Sequence, residues 1–365
     1  MIPRLICFLL LAPLAAAPET VVKGRRSVVL DGNSAQLVVD IAGGSIIDFH
    51  FKDQPLNPLT WDPEKDKPGV RAMGHFLCLD RWGQPSAAEE RNGMFFHGEA
   101  TRVEWKVPHD AAAENEFVRA EMSATLPMAG IEVRRRVRLS QSTAFFVVNE
   151  TVTNINKLGR VLNMVQHSTI APPFLDENTL VDSNARRGFM QSSPLPNPEE
   201  PSVYWPQALK DSQPVNLRHL TDDPEPAVVS YTIDENFGWA TAVNPAQGLL
   251  IGYIWKTSDY PWFNVWRDAR NGKPNARGLE FGTTGLHQPF GILVMKGRIF
   301  GRPIYAYLDT GQSMTKSYAS FLSKVPRDFQ GVQRITYESG RLVLEERGGT
   351  AARQITIQVG DLFPE

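Results

Sequence analysis

Short runs of apolar and β-branched residues, separated by turn-forming residues, recur along nearly the whole chain. Examples are SVVL at 27–30, QLVVDI at 36–41 and SIIDFHF at 45–51, followed later by VRAEMSATL at 118–126 and IEVRRRVRL at 131–139. Runs of this length with alternating polarity are typical of half-buried β-strands. Helical periodicity is almost absent, so the sequence predicts an all-β fold with antiparallel strands.

Three segments depart from this simple pattern. The segment Thr315–Ser323 is the one modest helix candidate, and FGILVMKG at 290–297 reads as a further strand. Residues 171–226 hold many of the prolines and few apolar runs, so they read as a long irregular insertion, and such loops are usually functional or mobile. Because no linker or internal repeat is visible, residues 18–365 are predicted to form a single β-rich domain.

The first 17 residues have the pattern of a secretory signal peptide. A positive charge at Arg4 precedes a short apolar run, and the small residues Ala15, Ala16 and Ala17 follow it. The apolar run is too short to span a bilayer. The protein is therefore expected to be exported, to the periplasm or the extracellular medium, with no membrane insertion once residues 1–17 are removed.

Composition and motif content argue against several classes of protein. Loss of Cys7 with the signal peptide leaves Cys78 as the remaining cysteine, which rules out an internal disulfide and a cysteine-based metal cluster. The 38 Lys and Arg residues are balanced by 40 Asp and Glu residues, so nucleic acid is not expected as a partner. The seven histidines form no close HxH or HxxxH pair, and no GxSxG or phosphate-binding motif is present. The prediction is therefore for no metal and no cofactor.

The stretch Trp262–Phe290 places one carboxylate among glycines, aromatic residues, arginines and a histidine. Two strand-like runs flank a turn at Asn271–Asn275, which predicts a hairpin. In the second run Gly278, Glu280 and Gly282 share one face. The carboxylate thus has no large side chain two residues on either side of it, which leaves room for a ligand. The alternative is that Glu280 is an exposed strand residue paired with an arginine.

Aromatic residues are concentrated just before and within this hairpin. Aromatic faces pack well against the apolar C–H faces of pyranose rings, which favours a sugar site. The alternative is that these side chains fill the core of a sandwich. The residues concerned are Trp255, Tyr260, Trp262 and Trp266. Alternation places Trp262 and Trp266 on one face of their run, and both are predicted to bind substrate.

Four polar residues stand at strand ends or beside glycines and are candidates for chemistry: Arg81, His97, His167 and Glu280. Acid and base chemistry on a neutral polyol needs a carboxylate to accept a hydroxyl proton, an imidazole to donate one, and fixed donors for the oxygens. Each residue alone also has a structural alternative. A histidine on an apolar strand is often a core residue, and Arg81 could pair with a neighbouring carboxylate.

Three segments resemble a known family. HGEATRVEW, in which His97-Gly98 is followed by Trp105, resembles the HGF-to-W motif of aldose 1-epimerases and of the wider galactose mutarotase-like superfamily. The strand with His167 resembles the segment that carries the second histidine of that family. RGLEFGTTGLHQPF, which contains Glu280, resembles the strand that bears the catalytic glutamate. The order arginine, histidine, histidine, glutamate also agrees, and the likeness covers residues 30–345.

The resemblance implies a large antiparallel β-supersandwich with a sugar site on its concave face, and a proton-transfer mechanism without a cofactor. Glu280 would act as the general base on the anomeric hydroxyl, and His167 would protonate the ring oxygen. His97 and Arg81 would bind and polarise the same oxygens. Gln166, next to His167, is a further candidate for substrate binding.

The family resemblance also implies an aspartate that orients the substrate. The sequence offers Asp222, Asp223 and Asp259 for this role, and Asp259 is the one assigned to the predicted site.

The predicted function is that of an exported, aldose 1-epimerase-like protein that interconverts the anomers of a sugar or terminal sugar unit. One alternative is a carbohydrate-binding protein without catalysis. The other is a polysaccharide lyase or hydrolase that uses the 171–226 insertion to shape an extended cleft. The epimerase hypothesis requires that His167 and Glu280 face one cavity.

Overall fold

The computed structural model describes residues 20–67, 69–348 and 353–363. The predicted signal peptide, residues 1–17, lies outside the described residues. The helices are α1 (Ala87–Arg91), α2 (Phe290–Lys296) and a single 3-10 turn at Pro245–Gln247. No helix within the described ranges is long and apolar enough to cross a membrane. The rest of the regular structure is β-strand, which confirms the all-β prediction.

The strands are numbered in chain order. The first fifteen are β1 (Thr20–Val22), β2 (Arg25–Asp31), β3 (Ala35–Asp40), β4 (Ile46–Phe51), β5 (His75–Asp80), β6 (Ala112–Glu114), β7 (Phe117–Leu126), β8 (Ile131–Ser140), β9 (Phe145–Asn154), β10 (Arg160–Ile170), β11 (Leu180–Ser183), β12 (Ala185–Met190), β13 (Val203–Tyr204), β14 (Gln207–Lys210) and β15 (Gln213–Asn216). The others are β16 (Val228–Ile233), β17 (Phe237–Asn244), β18 (Leu249–Lys256), β19 (Trp262–Arg270), β20 (Lys273–Gly282), β21 (Arg298–Ile299), β22 (Arg302–Pro303), β23 (Ala306–Leu308), β24 (Ser313–Lys324), β25 (Val332–Glu338), β26 (Arg341–Glu346) and β27 (Gln354–Gln358).

Most strands belong to two large antiparallel sheets. The first sheet has the order β1-β2-β3-β4-β5-β10-β20-β19-β16-β12-β13, with β23 paired to β10 outside this path. The second sheet has the order β11-β17-β18-β24-β9-β8-β7-β6. Buried apolar side chains from both sheets form one continuous core. The prediction of a large antiparallel β-sandwich is therefore confirmed.

Alternation along the central strands gives the first sheet a core face and a second face. Leu77 on β5, Met164 on β10 and Leu279 on β20 point into the core between the sheets. Their neighbours Phe76 and Val165 belong to a separate apolar cluster on the opposite face. We call this opposite face the site face, because it carries the side chains of the candidate site.

A row of cross-strand neighbours runs over the site face. Phe76 on β5 is the partner of His167 on β10. In the antiparallel pairing of β10 with β20, Gln166 is opposite Phe281. The next residue of β10 and the preceding residue of β20 are therefore also opposite each other. This register makes His167 and Glu280 direct neighbours.

Two predictions of local structure are wrong. The run FGILVMK is the helix α2, which Pro289 precedes and Gly297 ends with a φ of 74°; both residues favour helix ends. The predicted helix Thr315–Ser323 lies instead within β24, which pairs along its length with β9 and β18. Its hydroxyl and aromatic residues suit a pleated surface, and strand pairing on both sides prevails over the weak helical pattern.

The insertion at 171–226 is more regular than the sequence suggests. It contributes β11 to the second sheet and both β12 and β13 to the first sheet, and β14 and β15 form a hairpin. These strands have only two to six residues. Segments so short do not produce a recognisable alternation of polarity.

A buried ion pair joins neighbouring strands inside the core. Arg135 Nε on β8 donates to Glu150 Oε1 on β9 at 2.6 Å, and the two side chains are 3% and 0% exposed. Gln166 Nε2 on β10 donates to the second carboxylate oxygen at 2.5 Å. The Arg135 guanidinium also donates to the Gly44 carbonyl. Both oxygens of the buried carboxylate thus have donors.

Replacing Glu150 by Leu should destabilise the protein strongly. Arg135 would keep its charge in the core without a partner, and removing one member of a buried ion pair costs about 3–5 kcal/mol. Urea unfolding followed by circular dichroism gives the change in the free energy of unfolding. Arg134→Ala is the matched control, since Arg134 is the exposed neighbour on β8 and pairs with Glu121. This substitution should lower the free energy of unfolding by about 1 kcal/mol or less. Equal losses for the two variants would contradict the role of the buried pair.

Candidate active site

Glu280 lies on the site face of β20 and is 1% exposed. Its Oε2 accepts a hydrogen bond of 2.7 Å from Trp82 Nε1, and its Oε1 is 3.2 Å from His167 Nε2. A Cβ built at Gly278 would stand 2.7 Å from Glu280 Oε1. The missing side chain at Gly278 therefore makes room for the carboxyl group itself. The space that the sequence predicts for a ligand is thus occupied, at Gly278, by the carboxyl group of Glu280.

His167 lies beside Glu280 on β10 and is also buried. Its Nδ1 is 2.9 Å from Thr169 Oγ1. Its ring stacks on Phe76, with centroids 4.2 Å apart and an interplanar angle of 18°. Both ring nitrogens thus have partners, and the stacked ring cannot turn freely.

His97 reaches the site from a loop whose backbone is unusual. Its φ is 64° and that of Gly98 is 78°, and a Cβ at Gly98 would stand 2.0 Å from the Leu79 carbonyl oxygen. Only glycine fits at 98, which gives the His-Gly motif a steric reason. The Gly83 N–H donates to His97 Nδ1 at 3.0 Å. In the neutral imidazole this places the proton on Nε2, which is then a donor for a ligand.

These three side chains share one cavity of about 330 Å³, which we call the site cavity. Its aromatic wall residues are Trp61, Phe76, Trp82, Phe96 and Trp266. Further polar residues are His287 and Thr101, with Glu64 and Arg102 as the charged members besides Glu280. A larger depression of about 560 Å³ lies on β7–β9, but none of the candidate residues lines it.

Burial favours the neutral forms of both members of the Glu280–His167 pair. Desolvation raises the pKa of Glu280 to about 8, and the hydrogen bond from Trp82 offsets only part of this rise. Desolvation lowers the pKa of His167 to about 3, and the nearby imidazoles of His287 and His75 lower it further. Near neutral pH the pair is therefore a carboxylic acid and a neutral imidazole that share one proton.

This protonation state fits the hydrogen bonds. The Glu280 O–H donates to His167 Nε2, and the His167 Nδ1–H donates to Thr169 Oγ1. The contact is thus a hydrogen bond between neutral groups rather than an ion pair. Burial also lowers the pKa of His287, to about 4, and that of His97 well below its usual range. Every imidazole in the site cavity is neutral near pH 7.

Trp266 lines the site cavity, whereas Trp262 does not, although both lie on the same face of β19 as predicted. Trp262 is fully buried and its Nε1 donates to the Pro303 carbonyl at 2.7 Å. A Cβ at Gly285 would stand 2.1 Å from the Trp262 ring. The segment that follows β20 therefore covers Trp262, and its predicted role in substrate binding is corrected to a packing role.

Two other predicted site residues, Gln166 and Asp259, also lie outside the cavity wall. Gln166 points into the core, one residue away from His167, and donates to Glu150 and Tyr260. Asp259 accepts from the Ser317 N–H at 3.3 Å and does not reach the site cavity. Alternation explains Gln166, because neighbouring residues of a strand point to opposite faces.

Arg81 makes the structural contacts that were the alternative to a substrate role. Its guanidinium donates to Asp80 at 3.0 Å and to Glu89 at 2.9 Å, and it does not line the site cavity. The next residue, Trp82, is the one that reaches Glu280. The contribution of Arg81 is to hold this loop rather than to form part of the cavity wall.

The other five residues with aromatic or imidazole rings in the cavity wall were not identified from the sequence. Trp82 and Phe96 stand next to the predicted residues Arg81 and His97, so sequence proximity was an available signal. Phe76 could also have been identified, because alternation along β5 places it on one face of that strand. His287 lies in the segment that resembles the catalytic strand, but without a feature that singles it out. Trp61 comes from the loop at 57–69, and no local pattern marks it.

The described part of the chain contains no group of three or more His, Cys, Asp and Glu side chains arranged to hold a metal ion. The side chains of the site cavity offer proton transfer between a carboxyl group and imidazoles. Aromatic faces supply the contact surface for a ring-shaped ligand.

No protein-family model and no curated protein sequence matches the chain. Solved structures do match. A protein of Escherichia coli K12 proposed to be an aldose 1-epimerase has 16% identity and a TM-score of 0.59, over 83% of this chain and 100% of that one. A galactose mutarotase-like protein of Clostridium acetobutylicum has 13% identity and a TM-score of 0.62, over 84% and 98%.

A third match is a galactose mutarotase-like protein of Lactobacillus casei, with 13% identity, a TM-score of 0.57, and coverage of 81% of this chain and 100% of that one. Identities this low establish the fold and leave the reaction to be argued from the site. The resemblance found in the sequence is confirmed at this level: the chain has the galactose mutarotase-like β-sandwich fold.

Proposed function

We propose that the protein is a mutarotase-like enzyme, which binds an aldose in the site cavity and interconverts its anomers by acid and base catalysis. The observation that carries this proposal is the contact of 3.2 Å between Glu280 Oε1 and His167 Nε2 in an aromatic-walled cavity. Anomer exchange needs one group that takes a proton and one that gives a proton at adjacent oxygens of the sugar. A pair that shares one proton can supply both.

The reaction has balanced proton steps. Glu280 in its carboxylate form takes the proton of the anomeric hydroxyl, while protonated His167 gives one to the ring oxygen and the bond between that oxygen and C1 breaks. Rotation about C1–C2 presents the other face of the aldehyde, and the reverse proton transfers close the ring. These roles require the shared proton to move from Glu280 to His167, and the direct hydrogen bond between the two atoms provides the path.

His97 and Trp82 complete the arrangement. The Nε2–H of His97 is free to donate to a sugar oxygen because the backbone of Gly83 occupies Nδ1. Trp82 stabilises the carboxylate form of Glu280 through its indole N–H. Neither group carries a charge, and the neutral substrate develops little charge, so positioning is expected to provide much of the rate.

The two alternative functions have less support in the geometry. A polymer-processing enzyme would need a long cleft, and no residue of 171–226 lines the site cavity. A carbohydrate-binding protein would not need the buried acid and base. Binding of sugars without acceleration of anomer exchange is nevertheless the result that would favour it.

The pair predicts a severe loss of activity on substitution. Glu280→Gln and His167→Asn should each lower the enzymatic rate of anomer exchange by about 10²-fold or more, because each removes one partner of the proton transfer. Polarimetry of freshly dissolved α-anomers, corrected for the buffer rate, measures this. The matched controls are Glu235→Gln and His219→Asn, since both residues are exposed and do not line the site cavity; both should retain full activity. Full activity in either site variant would refute the mechanism.

The raised pKa of Glu280 predicts an unusual pH profile. The pair works with one proton, so activity should fall as the pH rises through about 8, where Glu280 loses its proton to solvent. On the acid side activity should persist well below pH 6, because the pKa of His167 is lowered to about 3. Ordinary values for the two groups would instead place the acid limb at about pH 4.3 and the alkaline limb at about pH 6.5. Anomer exchange measured between pH 4.5 and 9.5 separates these two profiles.

We also propose that the protein is exported. Support comes from the charge, the apolar run and the small residues in the first 17 positions. Expression of the full chain in a bacterium with cell fractionation should place the protein outside the cytoplasm, shortened by 16 or 17 residues at its N-terminus. An unprocessed cytoplasmic chain would contradict this.

A further inference from the structure

The floor of the site cavity is an apolar cluster directly beside the Glu280–His167 pair. Its members come from β5, β10, β16 and the loops around them, and all of them are apolar or aromatic. The buried members are Phe76, Cys78, Trp82 and Val165, and Trp61, Ala72 and Val228 pack against them.

The neutral polar groups lie on one side of this floor. The ring centroids of His97 and His287 are 5.5 Å apart, and His287 is 4.7 Å from Trp82. Thr101 follows His97 in the same loop and also lines the site cavity. This side can donate hydrogen bonds to the anomeric hydroxyl and to the hydroxyls near it.

Three aromatic rings pack around His167. The planes of Trp61 and Trp266 meet at 82°, with centroids 5.8 Å apart. These centroids lie 6.4 Å and 5.8 Å from that of His167. Phe76 stacks on both Trp61 and His167. We call Trp61, Phe76 and Trp266 the aromatic corner.

The two remaining charged residues of the cavity wall are directed toward solvent. The Glu64 side chain is 33% exposed and pairs with Lys67 at 3.3 Å. Arg102 is exposed and its guanidinium lies over the ring of Phe95. Neither provides a buried partner for a hydroxyl group at the aromatic corner.

The proposed reaction fixes which part of the sugar meets this corner. Phe76, His167 and Glu280 follow one another across β5, β10 and β20. If Glu280 takes the anomeric hydroxyl and His167 acts on the ring oxygen, the next ring atom is C5, and it lies beyond His167 on the side of Phe76. The substituent of C5 therefore points into the aromatic corner.

We propose, on the basis of the proposed anomer exchange, that the preferred substrate is a 6-deoxyaldose, whose C5 carries a methyl group where a common hexose carries a hydroxymethyl group. A methyl group gains contact with three aromatic faces. A hydroxyl in the same place exchanges hydrogen bonds to water for contact with aromatic ring faces, which is unfavourable. A carboxylate or phosphate at C6 is disfavoured more strongly, because its charge would be desolvated.

Matched sugar pairs test this. The pairs are D-galactose with D-fucose, D-glucose with 6-deoxy-D-glucose, and L-mannose with L-rhamnose, and kcat/KM for anomer exchange is measured by NMR exchange spectroscopy. In the pair whose ring configuration the site accepts, the 6-deoxy sugar should react with a kcat/KM about tenfold higher or more than the hexose, mainly through a lower KM. Equal or lower values for the 6-deoxy member in every pair would overturn the proposal.

A variant locates the preference at the aromatic corner. Trp61→Gln places an amide beside the C5 substituent. It should raise kcat/KM for the hexose relative to the 6-deoxy sugar and so reduce the preference to about threefold or less. Phe96→Ala is the matched control, because Phe96 lines the site cavity beside His97 and not at the corner. It should lower kcat/KM for both sugars of a pair and leave the ratio of the two values unchanged. An unchanged ratio in Trp61→Gln would place the selectivity elsewhere and contradict the proposal.

Equilibrium binding separates failure of this inference from failure of the proposed function. Tryptophan fluorescence reports binding whether or not catalysis occurs. Tighter binding of 6-deoxy sugars without anomer exchange would refute the catalytic function and retain the ligand class. Equal exchange rates within every pair would retain the function and refute the ligand class. Absence of both binding and exchange would refute both.

Discussion

The antiparallel register of β10 and β20 is the constraint on which the candidate site depends. With Gln166 opposite Phe281, the adjacent positions bring His167 and Glu280 together on the site face. A slip of one residue would turn His167 into the core and bring Gln166 to the cavity. The same register lets Gln166 complete the hydrogen bonds of Glu150 in the core. The core network and the Glu280–His167 pair therefore stabilise the same alignment from opposite faces of one strand.

Burial then gives the pair its chemical character. A carboxyl group and an imidazole in water would exchange a proton to form an ion pair near neutral pH, whereas desolvation favours the two neutral groups here. Trp82 limits this effect by donating to the carboxyl group. Because Arg81 holds the adjacent backbone through Asp80 and Glu89, a residue outside the cavity influences the proton affinity of Glu280 by positioning its hydrogen-bond donor.

Sequence patterns were sufficient for the fold class and for four site residues, and they failed where contacts come from distant segments. Alternation placed Glu280 between two glycines on one face of its run and Trp266 on one face of the run before it, and the motif resemblance added His97 and His167. Alternation also placed Trp262 on that face, but it could not show that the segment after β20 covers it.

Other residues line the cavity although the sequence did not predict them. Trp61 reaches His167 from a loop about 100 residues earlier in the chain, and no local pattern encodes such a contact. Phe76 lies in the apolar strand β5, yet its position opposite His167 follows only from strand pairing. These wall residues determine both properties that distinguish the site. The low polarity that keeps Glu280 protonated would also disfavour an unpaired hydroxyl, so the protonation state of the pair and the proposed choice of substrate have one physical cause.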